Sequence, residues 1–195
     1  MAIAVIGWGS LIWCPGALSI ASRWRVNGPL LPIEFARISQ DGRLTLVVHP
    51  GSADQRTYWA VSGLASLDEA RANLGRREGT QLSNIHYVKT AGDAADGTPA
   101  EVVEKCRDWV RQHPEVEAAI WTGLPSNWEK ERGHAFSPED AVRYIQELET
   151  RVYRAREYVQ NTPSQIDTAV RREMRKRGWQ DAELSAVLFD PDVAR

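Results

Sequence analysis

Gly7-Trp8-Gly9-Ser10 is the stretch of this chain whose residue types point most directly to chemistry. It follows the short apolar run Ala2–Ile6 and leads into Leu11-Ile12-Trp13, which reads as strand-like. Interior glycine weakens a strand, so two glycines around a tryptophan mark a backbone with a task of its own. Glycine lets the main chain come close to a ligand, and successive amides form a concavity for an anion. Ser10 adds a hydroxyl. The fitting guest is a small-molecule carboxylate, held by Gly7, Trp8, Gly9, Ser10 and Leu11. The same residues also allow a bulge or tight turn in which Trp8 only fills core. A dinucleotide fingerprint is not met, because the third glycine and a helix opening on it are missing, and the phosphate-loop pattern is absent.

Other reactive types give less. Ser10 as a nucleophile calls for a G-x-S-x-G elbow and a paired base, and the sequence offers "GWGSLIW" instead. His49, His86, His113 and His134 show no metal spacing, and neither Cys14 nor Cys106 has a partner two residues away. No metal and no cofactor are therefore expected. Glu34, in "PIEFARI", reads as a strand-edge charge or a group facing a pocket. Trp8, Trp13, Trp24, Trp59 and Trp121 fall on the strand-rich part, where they fill core or line a cleft. The basic run "RREMRKRGW" (Arg171–Trp179), balanced by Asp181, Glu183 and Asp190, reads as a solvated helix face.

These residues need elements to hold them. The 195 residues, 43% hydrophobic and 26% charged, suffice for one sizeable core and suggest a single domain over 1–195. Ala2–Ile6, Leu30–Ile38, Arg43–His49, Thr57–Leu64, Ser83–Thr90 and Val116–Thr122 read as strands, with Asp41-Gly42 as a hairpin turn. Gly51–Arg56 reads as a turn and Ala91–Thr98 as a small-residue loop. Ser66 followed by Glu69 has capping-box spacing and opens a helix to about Leu74–Arg77, with Gly75 near its end. Pro99 suits the first position of a helix over Ala100–Gln112, stopped by His113-Pro114. "GLPSNWEKERGHAF" reads as a loop, after which Ser137-Pro138 opens a long helix with apolar positions reaching Val152 and Ala155. Pro163 opens another, ended by Gly178. The fold class expected is α+β: a curled, mostly antiparallel sheet or partial barrel with packed helices, and 137–195 as a helical C-terminal extension. A net charge of −2, two cysteines and no apolar run long enough for a membrane span fit a cytoplasmic protein with neither nucleic acid nor membrane as partner.

The opening resembles a known family. "GWGSLIW" differs in one residue from the "GYGSLIW" of the ChaC proteins, γ-glutamylcyclotransferases acting on glutathione, and it is similar to the "YGSN"-type loop of that superfamily. "LGRREGTQLSNIHYV" (Leu74–Val88) resembles the family segment "L-x-x-R-E-K-G-G-Y", whose glutamate is catalytic. Carried over, that role falls on Glu78. Trp8 stands at the family tyrosine, and "LPIEFARISQDG" stands in place of the family stretch "RFWQGSxDHRG". The resemblance thus implies a γ-glutamyl amine or peptide as substrate without naming glutathione. It implies ring closure by the substrate's own α-amine to give 5-oxoproline, with Glu78 as general base and then acid. Glu78 would need desolvation, Arg76 and Arg77 would point away from it, and the amides from Trp8 to Leu11 would hold the α-carboxylate or the oxyanion. Two other readings stay open: a non-catalytic carboxylate-binding or regulatory module of the same fold, and an interaction protein using the Arg-rich C-terminal helices.

Overall fold

The computed structural model of the chain describes residues 2–91, 95–149 and 155–179. Strand β1 (Ala2–Gly7) is the keystone. Side chains alternate across a strand, and here both sets are buried. Ala4 and Ile6 enter one apolar cluster, while Ile3 and Val5 enter the other. A strand buried on both faces must be apolar throughout, as "AIAVIG" nearly is. β1 runs antiparallel to β5 (Tyr58–Val61), with Ile6 opposite Trp59, and parallel to β8 (Val116–Thr122), with Val5 opposite Ile120. β6 (Ile85–Lys89) pairs antiparallel with β8, and β7 (Ala95–Asp96) with β6, giving the order β5-β1-β8-β6-β7.

A second sheet is antiparallel throughout, in the order β3-β2-β4, from β2 (Leu30–Ile38), β3 (Leu44–Val48) and β4 (Asp54–Arg56). Asp41-Gly42 does turn the β2–β3 hairpin. Gly42 has a φ of 83°, and its amide donates to the Ser39 carbonyl at 2.9 Å. Ala36 is an extra residue in β2, so that Phe35 faces Leu46 and Arg37 faces Thr45.

Helix α1 (Leu67–Glu78) lays Ala70 and Leu74 on Ile3, Val5, Ile85 and Ile120. The larger cluster on the opposite side joins the inner faces of both sheets to α2 (Ala100–Arg111), α4 (Pro138–Glu149), α5 (Ala155–Asn161) and α6 (Ala169–Lys176). The class is α+β, with a mixed five-stranded sheet and a three-stranded antiparallel one. No described helix is long and apolar enough to cross a membrane.

Several expected elements differ. Leu11-Ile12-Trp13 is turned, not extended, because the Ile12 amide donates to Gly9 O and the Cys14 amide to Ser10 O. Gly51–Arg56 ends in β4, whose Asp54–Arg56 pairs with the start of β2. Ser66 does stand at the N-cap of α1 but makes no side-chain cap hydrogen bond, so the capping box is not formed. Gly75 is buried inside α1, and Gly79, with a φ of 62°, supplies the left-handed end. Pro99 is the N-cap of α2, one position before the helix begins. The loop expected after β8 contains α3 (Trp128–Arg132), which buries Trp128. Helix α6 starts at Ala169, because the Thr162, Pro163 and Ile166 carbonyls accept from the Arg171 guanidinium instead of continuing a helix. Val152 lies outside the described residues, and Ala155 opens α5 rather than continuing α4.

Candidate functional site

β1 and β8 run the same way, so both end at one edge of the sheet. A cavity of about 510 Å3 opens there. The chain leaves β1 at Gly7, and the next residues form its first wall. Trp8 is buried, and its indole Nε1 donates to the Leu46 carbonyl on β3 at 3.3 Å. Gly9, Ser10 and Leu11 follow along the same wall.

The two glycines now have a physical reason. A Cβ on Gly7 would lie 2.8 Å from the Trp24 ring, and a Cβ on Gly9 would lie 2.3 Å from the Tyr158 hydroxyl. Real side chains do not come that close. An aromatic side chain presses on each of these two backbone positions, and only hydrogen fits between. Gly7 itself pairs with Tyr58 at the end of β1 and does not line the cavity, whereas Trp8, Gly9, Ser10 and Leu11 do.

Glu78 is the last residue of α1 and lines the same cavity. Gly79 then turns the chain away, so the carboxylate stands at the helix end beside the loop. Its side chain is 19% exposed. Burial raises its pKa above the ordinary 4.5, with the Arg77 guanidinium pulling the other way. The expectation for Arg76 holds, since it is exposed, but Arg77 points inward. Its Nη1 donates to Glu78 Oε1 at 2.9 Å, and its Nη2 to Ser10 Oγ at 3.1 Å and Cys14 O at 2.7 Å. Its Nε reaches Pro15 O at 3.2 Å. One planar fork thus ties the helix end to the loop, a task that suits arginine and not lysine.

The facing wall is the β2–β3 hairpin. The extra residue Ala36 sets Arg37 opposite Thr45, and both line the cavity, as do Asp41 and Arg43. Arg43 Nε sits 2.6 Å from Asp41 Oδ2, while Arg37 Nη1 donates to the Pro125 carbonyl at 2.7 Å. Arg37 has no acidic partner among the described residues. With Arg37, Arg43 and Arg77 against Asp41 and Glu78, the lining carries surplus positive charge, which suits an anionic guest. β8 contributes Thr122, whose hydroxyl is buried without a hydrogen-bond partner among the described residues. Tyr158, from α5, completes the enclosure.

The remaining candidates lie elsewhere. Glu34 is buried, and its Oε1 accepts from the Phe35 amide at 2.8 Å while Oε2 accepts from the Ala169 amide at 2.9 Å. It serves the start of α6 and is not a strand-edge charge. His86 is packed against Trp121, and burial lowers its pKa. Of the five tryptophans singled out, only Trp8 lines the cavity. Trp13 and Trp24 pack against the core, and Trp59 and Trp121 are part of it. Among the described residues no group of three or more His, Cys, Asp or Glu could hold a metal ion. In the basic run, Arg175 pairs with Asp167 and Arg177 with Glu173, whereas Arg171 is buried. Asp181, Glu183 and Asp190, expected to balance that run, lie outside the described residues.

Arg77, Arg37, Thr122 and Tyr158 were not singled out from the sequence. Arg37 carried a usable signal in the period of β2, which the extra residue Ala36 hid. Tyr158 carried none, because its contact with Gly9 joins opposite ends of the chain.

No protein-family model, no curated protein and no solved structure matches the chain.

Proposed function

We propose that the chain is a γ-glutamylcyclotransferase-like enzyme of the cytoplasm, with that family's curled-sheet fold, and that it releases 5-oxoproline from a γ-glutamyl amine or peptide. What carries the reading is one juxtaposition: the desolvated Glu78 carboxylate and the Gly9–Leu11 backbone line a single small cavity. The surplus of arginine in the lining adds weight, since such a substrate brings a carboxylate.

In the proposed reaction Glu78 takes a proton from the substrate's α-ammonium, and the freed amine attacks the γ-carbonyl carbon. A carbon–nitrogen bond forms and the carbonyl becomes an oxyanion. As that oxyanion collapses, the bond to the original amide nitrogen breaks, Glu78 returns its proton to that nitrogen, and the ring nitrogen gives up its second proton to solvent. The products are 5-oxoproline and a free amine, with Glu78 unchanged. Nucleophile and electrophile belong to one molecule, so holding the glutamyl chain folded supplies much of the acceleration. A carboxylate that holds its proton more tightly than in water is better matched to both transfers.

The test is incubation of the purified protein with a panel of γ-glutamyl amines, amino acids and peptides, followed by detection of 5-oxoproline. Release that disappears in Glu78→Gln supports the reading. The Arg77–Glu78 ion pair favours a second one, a carboxylate-binding module, because it stabilises the charged form of the acid. That module would bind members of the panel and release nothing.

A further inference from the structure

Among the described residues, Tyr158 is the one cavity-lining side chain that comes from the helical C-terminal part of the chain. It is buried, and Trp13 and Phe35 meet its ring edge-to-face at 5.2 and 6.2 Å. The ring is therefore fixed, and so is the hydroxyl. That hydroxyl fills the space a side chain on residue 9 would occupy. Burial and the Glu78 charge push its pKa up to about 12, against backbone hydrogen bonds from Leu46 and Ser10. It thus keeps its proton at any working pH, and is a hydrogen-bond donor rather than a base.

The relation to Glu78 narrows where that proton goes. The two groups are close enough for the carboxylate charge to act on the phenol, yet no hydrogen bond joins them among the described residues; Glu78 is held by Arg77. Both line the same cavity. Ring closure puts a nitrogen that loses a proton and an oxygen that gains charge on the same carbon. A base and a donor lining one cavity match that pair of atoms.

We propose that Tyr158 is a catalytic residue whose hydroxyl donates a hydrogen bond to the substrate's γ-carbonyl oxygen and stabilises the oxyanion that forms there. The inference rests on the cyclotransferase reading and divides the labour within it. The Gly9–Leu11 backbone then serves the α-carboxylate.

The experiment compares Tyr158→Phe with the unaltered protein on a γ-glutamyl substrate that the latter turns over. The expected result is a kcat lower by about 100-fold or more with KM changed only a few-fold, the signature of a contact made in the transition state. A purely structural tyrosine would move both parameters together with the melting temperature.

Gly9→Ala provides the control for packing. Its methyl would collide with the Tyr158 oxygen, whereas the ring carbon behind that oxygen stands at 3.4 Å, an ordinary contact. Gly9→Ala is expected to melt lower and to lose kcat. The double variant Gly9→Ala/Tyr158→Phe is expected to regain the melting temperature and not the turnover. Equal kcat in Tyr158→Phe and the unaltered protein, or recovery of turnover in the double variant, overturns the assignment and leaves the cyclotransferase reading standing. Absence of 5-oxoproline from the unaltered protein across the substrate panel overturns both.

Discussion

A carboxyl group half-withdrawn from water, with a single guanidinium beside it, behaves differently from one at the surface. For Glu78 the withdrawal is the larger effect, and the proton is held to higher pH than the ordinary 4.5. Ionisation of this group therefore weakens the fold. Its contribution to stability is fully present below the unfolded pKa and is lost as pH rises through the raised folded one. Glu78→Gln, which stays neutral, is expected to melt higher than the unaltered protein at pH 7 to 8, with the difference vanishing towards pH 4. Calorimetry across that range reads it directly. The same change should lower 5-oxoproline release by about 100- to 10,000-fold, the usual weight of a positioned acid–base group. Turnover in the unaltered protein should fall on the acid side at a pH above that of a free carboxylate, where Glu78 becomes protonated. A residue that improves stability when neutralised and abolishes turnover at the same time is one retained for chemistry.

At the level of elements, the end of α1 is braced to the turn after β1 by one side chain. Arg77 reaches Ser10, Cys14 and Pro15 as well as Glu78. Lysine keeps the charge and loses the fork. Arg77→Lys should destabilise the protein by about 1 to 2 kcal/mol and speed hydrogen exchange at the Ile12 and Cys14 amides, which close the turn. Glu34 plays a comparable part at the start of α6. Removing it in Glu34→Ala strands the Phe35 and Ala169 amides, and a loss of about 1 to 3 kcal/mol in urea unfolding is expected. This is also the scale at which sequence and structure agree best. β2 runs over Leu30–Ile38, with the span read from its composition, since alternating apolar residues and the Asp-Gly turn fix both period and end. The start of α6 was not legible, because Pro163 looks like a first helical residue until a buried arginine claims the nearby carbonyls. The inward turn of Arg77 was illegible for a similar reason. Its acceptors are main-chain oxygens, which any sequence offers.

On the scale of the whole molecule, the cavity gathers the turn after β1, the end of α1, the β2–β3 hairpin, the end of β8 and α5. The first two were legible as a pair through their motifs, the others only through tertiary packing. Arg171 holds the segment between α5 and α6 by donating to the Thr162, Pro163 and Ile166 carbonyls from a buried position. Arg171→Met should therefore lower stability by about 3 kcal/mol, measurable as a shifted urea midpoint, and should reduce turnover by loosening α5 and with it Tyr158. The close approach of Tyr158 to Gly9 has a consequence for synthesis as well. The loop is synthesised well before the tyrosine, so a nascent chain carries an unfinished hollow until α5 has been made. A fragment that stops short of α5 would therefore lack one wall of the hollow.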